Sequence, residues 1–98
     1  MNSVLQVIPR EDFHVYVYFS DGHIKLYDAS KLTRRGVFQQ LSDIKVFMET
    51  CTVMNNTLAW DVKRTMNPEE CLDLDPIQLF AESIEVDDPL ENHQHISS

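Results

Sequence analysis

Only two glycines stand in this 98-residue chain, at Gly22 and Gly36. A phosphate cradle built on a glycine-rich loop is therefore excluded, since such loops need several small residues in a row. Cysteine is as scarce: Cys51 and Cys71 are the two, far apart and flanked by apolar residues. That spacing fits reduced thiols that fill core space, and does not resemble a disulfide framework or a zinc site with paired ligands. No run approaches the roughly 18 apolar residues that a membrane span requires, and the opening Met1-Asn-Ser-Val-Leu-Gln6 lacks the basic and apolar regions of a signal peptide. A soluble, cytoplasmic protein is expected.

The other shortage is of positive charge. All eight Lys and Arg lie before residue 65, where they meet seven acids, while residues 65–98 hold nine acids and no base. A nearly neutral body thus carries an acidic C-terminal third. Such a field repels phosphate backbones and anionic lipid, because both are bound by Lys and Arg that displace counterions. Binding to nucleic acid by the free chain, or to membrane, is not expected. The acidic third reads either as a solvated, solubilising end or as a docking surface for a basic partner.

What is present is ordinary globular material, 43% hydrophobic and 24% charged, enough for one modest core. The clearest pattern is Phe13-His-Val-Tyr-Val-Tyr-Phe-Ser-Asp-Gly-His-Ile-Lys-Leu-Tyr-Asp28. Asp21-Gly22 predicts a tight hairpin with a two-residue loop. That register sets Phe19 opposite Ile24, Tyr18 opposite Lys25 and Val17 opposite Leu26. Val15, Val17, Phe19, Ile24 and Leu26 then share a core face. His14, Tyr16, Tyr18, Lys25 and Tyr27 fall on the other. A second hairpin turns at Asn55-Asn56, pairing Val53 with Leu58 and Cys51 with Trp60, all four facing inward. Val4–Ile8 reads as a short strand closed by Pro9.

Between the hairpins the period lengthens to that of a helix. Asp28 or Ser30 caps a turn through Leu32, Gly36 offers a left-handed residue, and Ser42 or Asp43 caps a helix that buries Ile44, Phe47 and Met48. After a polar loop over residues 61–71, Leu72 and Leu74 alternate as an extended piece. Asp75-Pro76 then starts a last helix, with Ile77, Phe80, Ala81 and Ile84 expected on its buried face. From Glu85 onward apolar residues thin out and a free tail is expected. The expected organisation is a single α+β domain over residues 1–84 and an acidic tail over 85–98. Its sheet is largely antiparallel, formed by the N-terminal strand and both hairpins and packed on one face by two short helices.

These residues, in this order, resemble domain-of-unknown-function family 2442, a set of small bacterial proteins. The resemblance rests on Phe19-Ser-Asp-Gly22 in a hairpin closed by Asp28, Gly36-Val-Phe-Gln-Gln-Leu41 leading to Phe47, and an extended piece ending at Trp60. Leu72-Asp-Leu-Asp-Pro76 followed by Leu79-Phe80 completes it, so that about residues 4–81 are covered. It implies a compact α+β accessory domain with no assigned catalysis, often encoded beside a second small protein. Some such pairs have been proposed as toxin and antitoxin, and this chain is similar to the antitoxin side. The linker from Asp61 to Cys71 is longer than the family's usual passage from Trp to Asp-Pro.

Candidate chemistry is thin. Asp61, Glu69, Glu70, Asp73 and Asp75 could supply oxygens to a hard cation, but no calcium-loop spacing is present and Asp75 already has a capping role. His93 and His95 lie two apart in the tail, without further ligands nearby. A Cys–His dyad is disfavoured, since Cys51 points inward while His14 and His23 are expected on the outer side of the first hairpin. No catalytic residue, cofactor or metal is therefore expected. The remaining candidate is the surface of Tyr16, Tyr18, Tyr27 and His14, because tyrosine buries a large ring while keeping its hydroxyl satisfied. That surface either meets a protein partner or second copy, as in a homodimer, or is covered within the chain. The expected function is a non-catalytic protein-binding module; the alternative is a small enzyme or metal-dependent accessory domain that uses the acidic third.

Overall fold

Strict alternation of apolar and amphipathic residues makes His14–Phe19 a strand with one dry side (β2): Val15, Val17 and Phe19 are buried, while His14, Tyr16 and Tyr18 between them are partly exposed. The structure, a computed structural model describing residues 3–90, pairs it antiparallel with Val4–Pro9 (β1) on one side and Ile24–Asp28 (β3) on the other.

The β2–β3 register differs by one residue from the expected one, and the loop is the cause. Phe19 N donates to His23 O at 2.9 Å and Gly22 N to Phe19 O at 3.1 Å, so Ser20, Asp21 and Gly22 together form the loop. A two-residue loop of the expected type would need both Asp21 and Gly22 left-handed. Here Gly22 alone is so, at φ 96°, which suits a three-residue turn closed by a glycine bulge. Asp21 Oδ1 also accepts from His23 N at 3.0 Å and fixes the loop's exit.

The single-residue difference turns β3 over. Tyr18 now faces Ile24, Tyr16 faces Leu26, and Val15 faces Tyr27. Tyr27, expected beside Tyr16 and Tyr18, is instead a core residue at 7% exposure. Ile24 and Leu26, expected in the core, stand on the tyrosine side. Lys25 and His23 pass to the inner side with Val17 and Phe19.

The second hairpin matches its expectation. Cys51–Met54 (β4) and Thr57–Trp60 (β5) pair Cys51 with Trp60 and Val53 with Leu58. Both Asn55 and Asn56 are left-handed, at φ 55° and 62°, as a two-residue turn demands. Leu58 and Trp60 are buried, and Cys51 and Val53 pack partly buried against the same core.

The two hairpins do not share one sheet. Four strands run in the order β1-β2-β3-β7, where β7 is Ile84–Glu85. Three run β4-β5-β6, where β6 is Leu72–Asp73. A bond from Val4 N to Asn56 O at 2.9 Å links them. Their common core gathers Val15, Val17, Phe19, Tyr27, Leu58, Trp60 and Leu79. Between the hairpins lie two short 3-10 helices, Leu32–Arg34 and Gly36–Ser42, and then helix α1, Ile44–Thr50. Asp43 caps α1 through Lys45 N at 3.0 Å, and Phe47 drives into the core against Phe13 and Trp60.

Helix α2, Pro76–Glu82, starts as its sequence predicts, with Asp75 Oδ1 accepting from Ile77 N at 3.0 Å. Its buried side is not the expected one. Leu79 is 1% exposed and Ser83 just beyond the helix is buried, whereas Ile77 is 67% exposed and Ala81 also faces out. Ile84 has left the helix for β7. The helical period from Pro76 runs through Leu79, Phe80 and Ser83, and burying Leu79 contributes about 2 kcal/mol.

Residues 85–90, expected as the start of a free tail, are held. Glu85 pairs with Lys25, Val86 N donates to Ile24 O at 3.0 Å, and Asp88 Oδ1 accepts from the Tyr18 hydroxyl at 2.7 Å. The tail histidines His93 and His95 lie outside the described residues.

Candidate functional site

The register that buries Tyr27 assembles a different surface on the other side of the first sheet. One row across the four strands reads Ile8, Tyr16, Leu26, Ile84, and a second reads Gln6, Tyr18, Ile24. None of these side chains joins the core cluster among the described residues. Ile84, on the two-residue edge strand, is 62% exposed. The result is a platform of two tyrosines and four aliphatic side chains carried by the four strands of one antiparallel sheet. Such a surface offers apolar area with little side-chain entropy to lose on contact, since each tyrosine has few rotors.

Polar groups sit at its two ends. At one, His14 Nδ1 lies 3.3 Å from Asp12 Oδ1 and Nε2 lies 3.9 Å from Asp28 Oδ2. Arg10 pairs with Asp12 at 3.1 Å and lies over the Tyr16 ring, its guanidinium carbon 5.6 Å from the centroid. Two hydrogen bonds from Ser30, side chain and backbone, hold the Asp28 carboxyl below the ordinary carboxylate range. At the other end stands Asp88 on the Tyr18 hydroxyl. Three of the four expected interface residues, Tyr16, Tyr18 and His14, are therefore brought together, and Tyr27 is not. The residues that sequence reasoning placed elsewhere, Ile24, Leu26 and Ile84, complete the surface.

The opposite side of β3 holds the platform's support. Lys25 Nζ donates to Phe80 O at 2.7 Å and lies 3.8 Å from the centroid of the Phe80 ring. Phe80 also packs on Phe19 and His23, at 5.0 and 5.3 Å between centroids. A cation at the C-terminal end of a helix and over an aromatic face is favoured twice. This latch fixes α2, which in turn delivers Ile84 to the sheet edge.

Beside it, Tyr27, Asp28, Lys31, Leu32, Arg35 and Glu82 line a cleft of about 320 Å³. Burial and the nearby Glu82 carboxylate raise the Tyr27 hydroxyl pKa, opposed by Arg35. His23 lies on this inner side of the sheet, not the outer side as expected, and pairs with Asp21 at 2.9 Å and Glu85 at 3.3 Å. Burial pushes the Cys51 thiol up to about 12, far from the range of an activated nucleophile. The acids considered for a cation are used locally: Asp61 accepts from Thr65 N and Met66 N, and Asp73 from Asn55 Nδ2. Among the described residues no three His, Cys, Asp or Glu converge as a metal site, and no helix is long and apolar enough to cross a membrane.

No curated protein and no solved structure matches the chain. A family model described as "Protein of unknown function (DUF2442)" matches residues 4–85. That span opens on the first residue of β1 and closes on the last of β7, so the family is defined over the same strands that build the platform and the α2 latch. The chain belongs to DUF2442.

Proposed function

We propose that this protein is a non-catalytic protein-binding module whose binding surface is the outer face of the first sheet. The observation that supports the reading is the platform of Ile8, Tyr16, Tyr18, Ile24, Leu26 and Ile84, apolar side chains that the fold directs away from its own core. Contiguous apolar surface rimmed by polar groups is the mark of an interaction site. On this reading the chain acts in the bacterial cytoplasm as the antitoxin-like member of a two-gene pair, and the platform receives the product of the second gene. The cleft at Tyr27 supports a second reading, an accessory domain for a small ligand, because acids and bases line it together.

Photo-crosslinking separates the two. Benzoylphenylalanine in place of Ile84, at the platform's edge, is expected to capture a protein in the native host, and the adduct is expected to vanish when Tyr16→Ser and Tyr18→Ser are added. The same probe in place of Ile77, exposed on α2, is the control and should not give that adduct. Identical products from both positions, or an adduct indifferent to the tyrosine changes, would overturn the platform reading.

A further inference from the structure

The platform's charge says what kind of partner fits it. Its outer face carries Asp12, Asp28 and Asp88 against one base, Arg10, while Lys25, Asp21 and Glu85 lie on the inner side. Arg10 and Asp12 offset one another, so Asp28 and Asp88 carry the face's excess negative charge. Lys25 is turned to the other side of the sheet with its ammonium on Phe80 O, and Arg10 is engaged with Asp12 and Tyr16. The apolar rows are bounded by Asp12 and Asp28 at one end and by Asp88 at the other. Those ends are separated by the length of β3, on the order of 13 Å at the rise of a strand, which about nine residues of helix would span.

We infer that the platform is occupied by a basic amphipathic segment of a partner protein, an apolar stripe flanked by Lys or Arg at both ends. The inference rests on the binding-module reading above and adds the partner's chemistry to it. A second copy of this chain is the competing occupant, and charge disfavours it. Stacking two such platforms would bring acid against acid between chains that each carry −8, and like-charge juxtaposition across an interface is costly. A basic segment meets the opposite field at both ends while its stripe covers Tyr16, Leu26 and Ile24.

The test uses the full chain and two synthetic helical peptides of about 14 residues that share one Leu/Ile stripe. One carries Lys and Arg at its ends and the other carries Glu. Fluorescence anisotropy should show the basic peptide bound about tenfold or more tighter than the acidic one, with affinity falling as salt rises from about 0.05 to 0.5 M. Tyr16→Ser with Tyr18→Ser should abolish that binding. Ile84→Ser, a milder change at an exposed edge, should weaken it with the fold intact by circular dichroism. Asp28→Asn with Asp88→Asn should erase the preference between peptides while leaving contact with the stripe.

Equal affinity for both peptides, or no binding of the basic one up to about 1 mM, overturns the inference. So does a dimer by sedimentation that Ile84→Ser dissolves. Failure of this kind is distinguishable from failure of the binding-module reading: an Ile84 crosslink to a partner segment that lacks flanking Lys or Arg would sink the basic segment and keep the module.

Discussion

Gly22 decides which side of β3 meets the core. With glycine as the lone left-handed residue of its loop, the hairpin takes three residues between the strands, and Tyr27 goes inside while Ile24 and Leu26 go out. Other single residues carry comparable weight. Phe19 is 2% exposed and packs edge-on against Phe80 at 5.0 Å, so Phe19→Ala should cost about 3–5 kcal/mol by urea denaturation; a loss under about 1 kcal/mol would contradict its place in the core. Thr57 makes the opposite case. Its hydroxyl oxygen is buried without a hydrogen-bond partner among the described residues, and leaving such a group unpaired costs about 1–3 kcal/mol. Thr57→Val keeps the shape and removes the orphan, so stability should stay level or rise by about 1 kcal/mol. A drop of that size would mean the hydroxyl is satisfied.

At the scale of elements, what could be read from sequence depended on how many structures one pattern allows. Asn55-Asn56 admits two left-handed residues in a row, and the β4–β5 pairing followed with every partner in place. Asp21-Gly22 admits both a two-residue and a three-residue loop, and alternation in β3 favoured the wrong one, because Ile24 and Leu26 look more like core than Lys25 and Tyr27. Lys25 is tolerated inside only because Phe80 and its carbonyl receive the ammonium, a contact across 55 residues that no local pattern reveals. The same blindness hid β7: Ile84-Glu85 carries almost no strand signal of its own and is ordered by the edge of β3. The cap of α2 was legible because Asp75 and Pro76 act locally; its buried side was not, because tertiary contacts choose it. The latch predicts that Lys25→Met loosens α2 and β7 by about 1–2 kcal/mol. Hydrogen exchange should accelerate across Ile77–Glu85 and not in the β4–β5 hairpin. Uniform protection in both would show that Lys25 holds nothing.

For the whole molecule, the candidate surface was half legible. Tyr16, Tyr18 and His14 were grouped by alternation within one strand, whereas their aliphatic neighbours depended on a register and an edge strand settled elsewhere. The excess of negative charge was fully legible, and it sets a behaviour independent of the fold's details. With −8 in all and its bases scattered over several elements, the free chain should not bind labelled duplex DNA at about 0.15 M salt. Micromolar, salt-sensitive binding would replace the protein partner with a nucleic acid.

The outer face of the first sheet is the proposed site of partner docking. Methyl NMR on the intact chain reads that face directly, since Ile8, Ile24, Leu26 and Ile84 report from the platform while Ile77 and Leu79 report from α2. When the basic amphipathic peptide, or the protein captured through Ile84, is titrated in, the platform methyls should shift and broaden while those of Ile77 and Leu79 stay in place. Shifts centred on Leu79 and Leu32, beside the Tyr27 cleft, with the platform methyls unmoved, would move the binding surface from the sheet to the cleft.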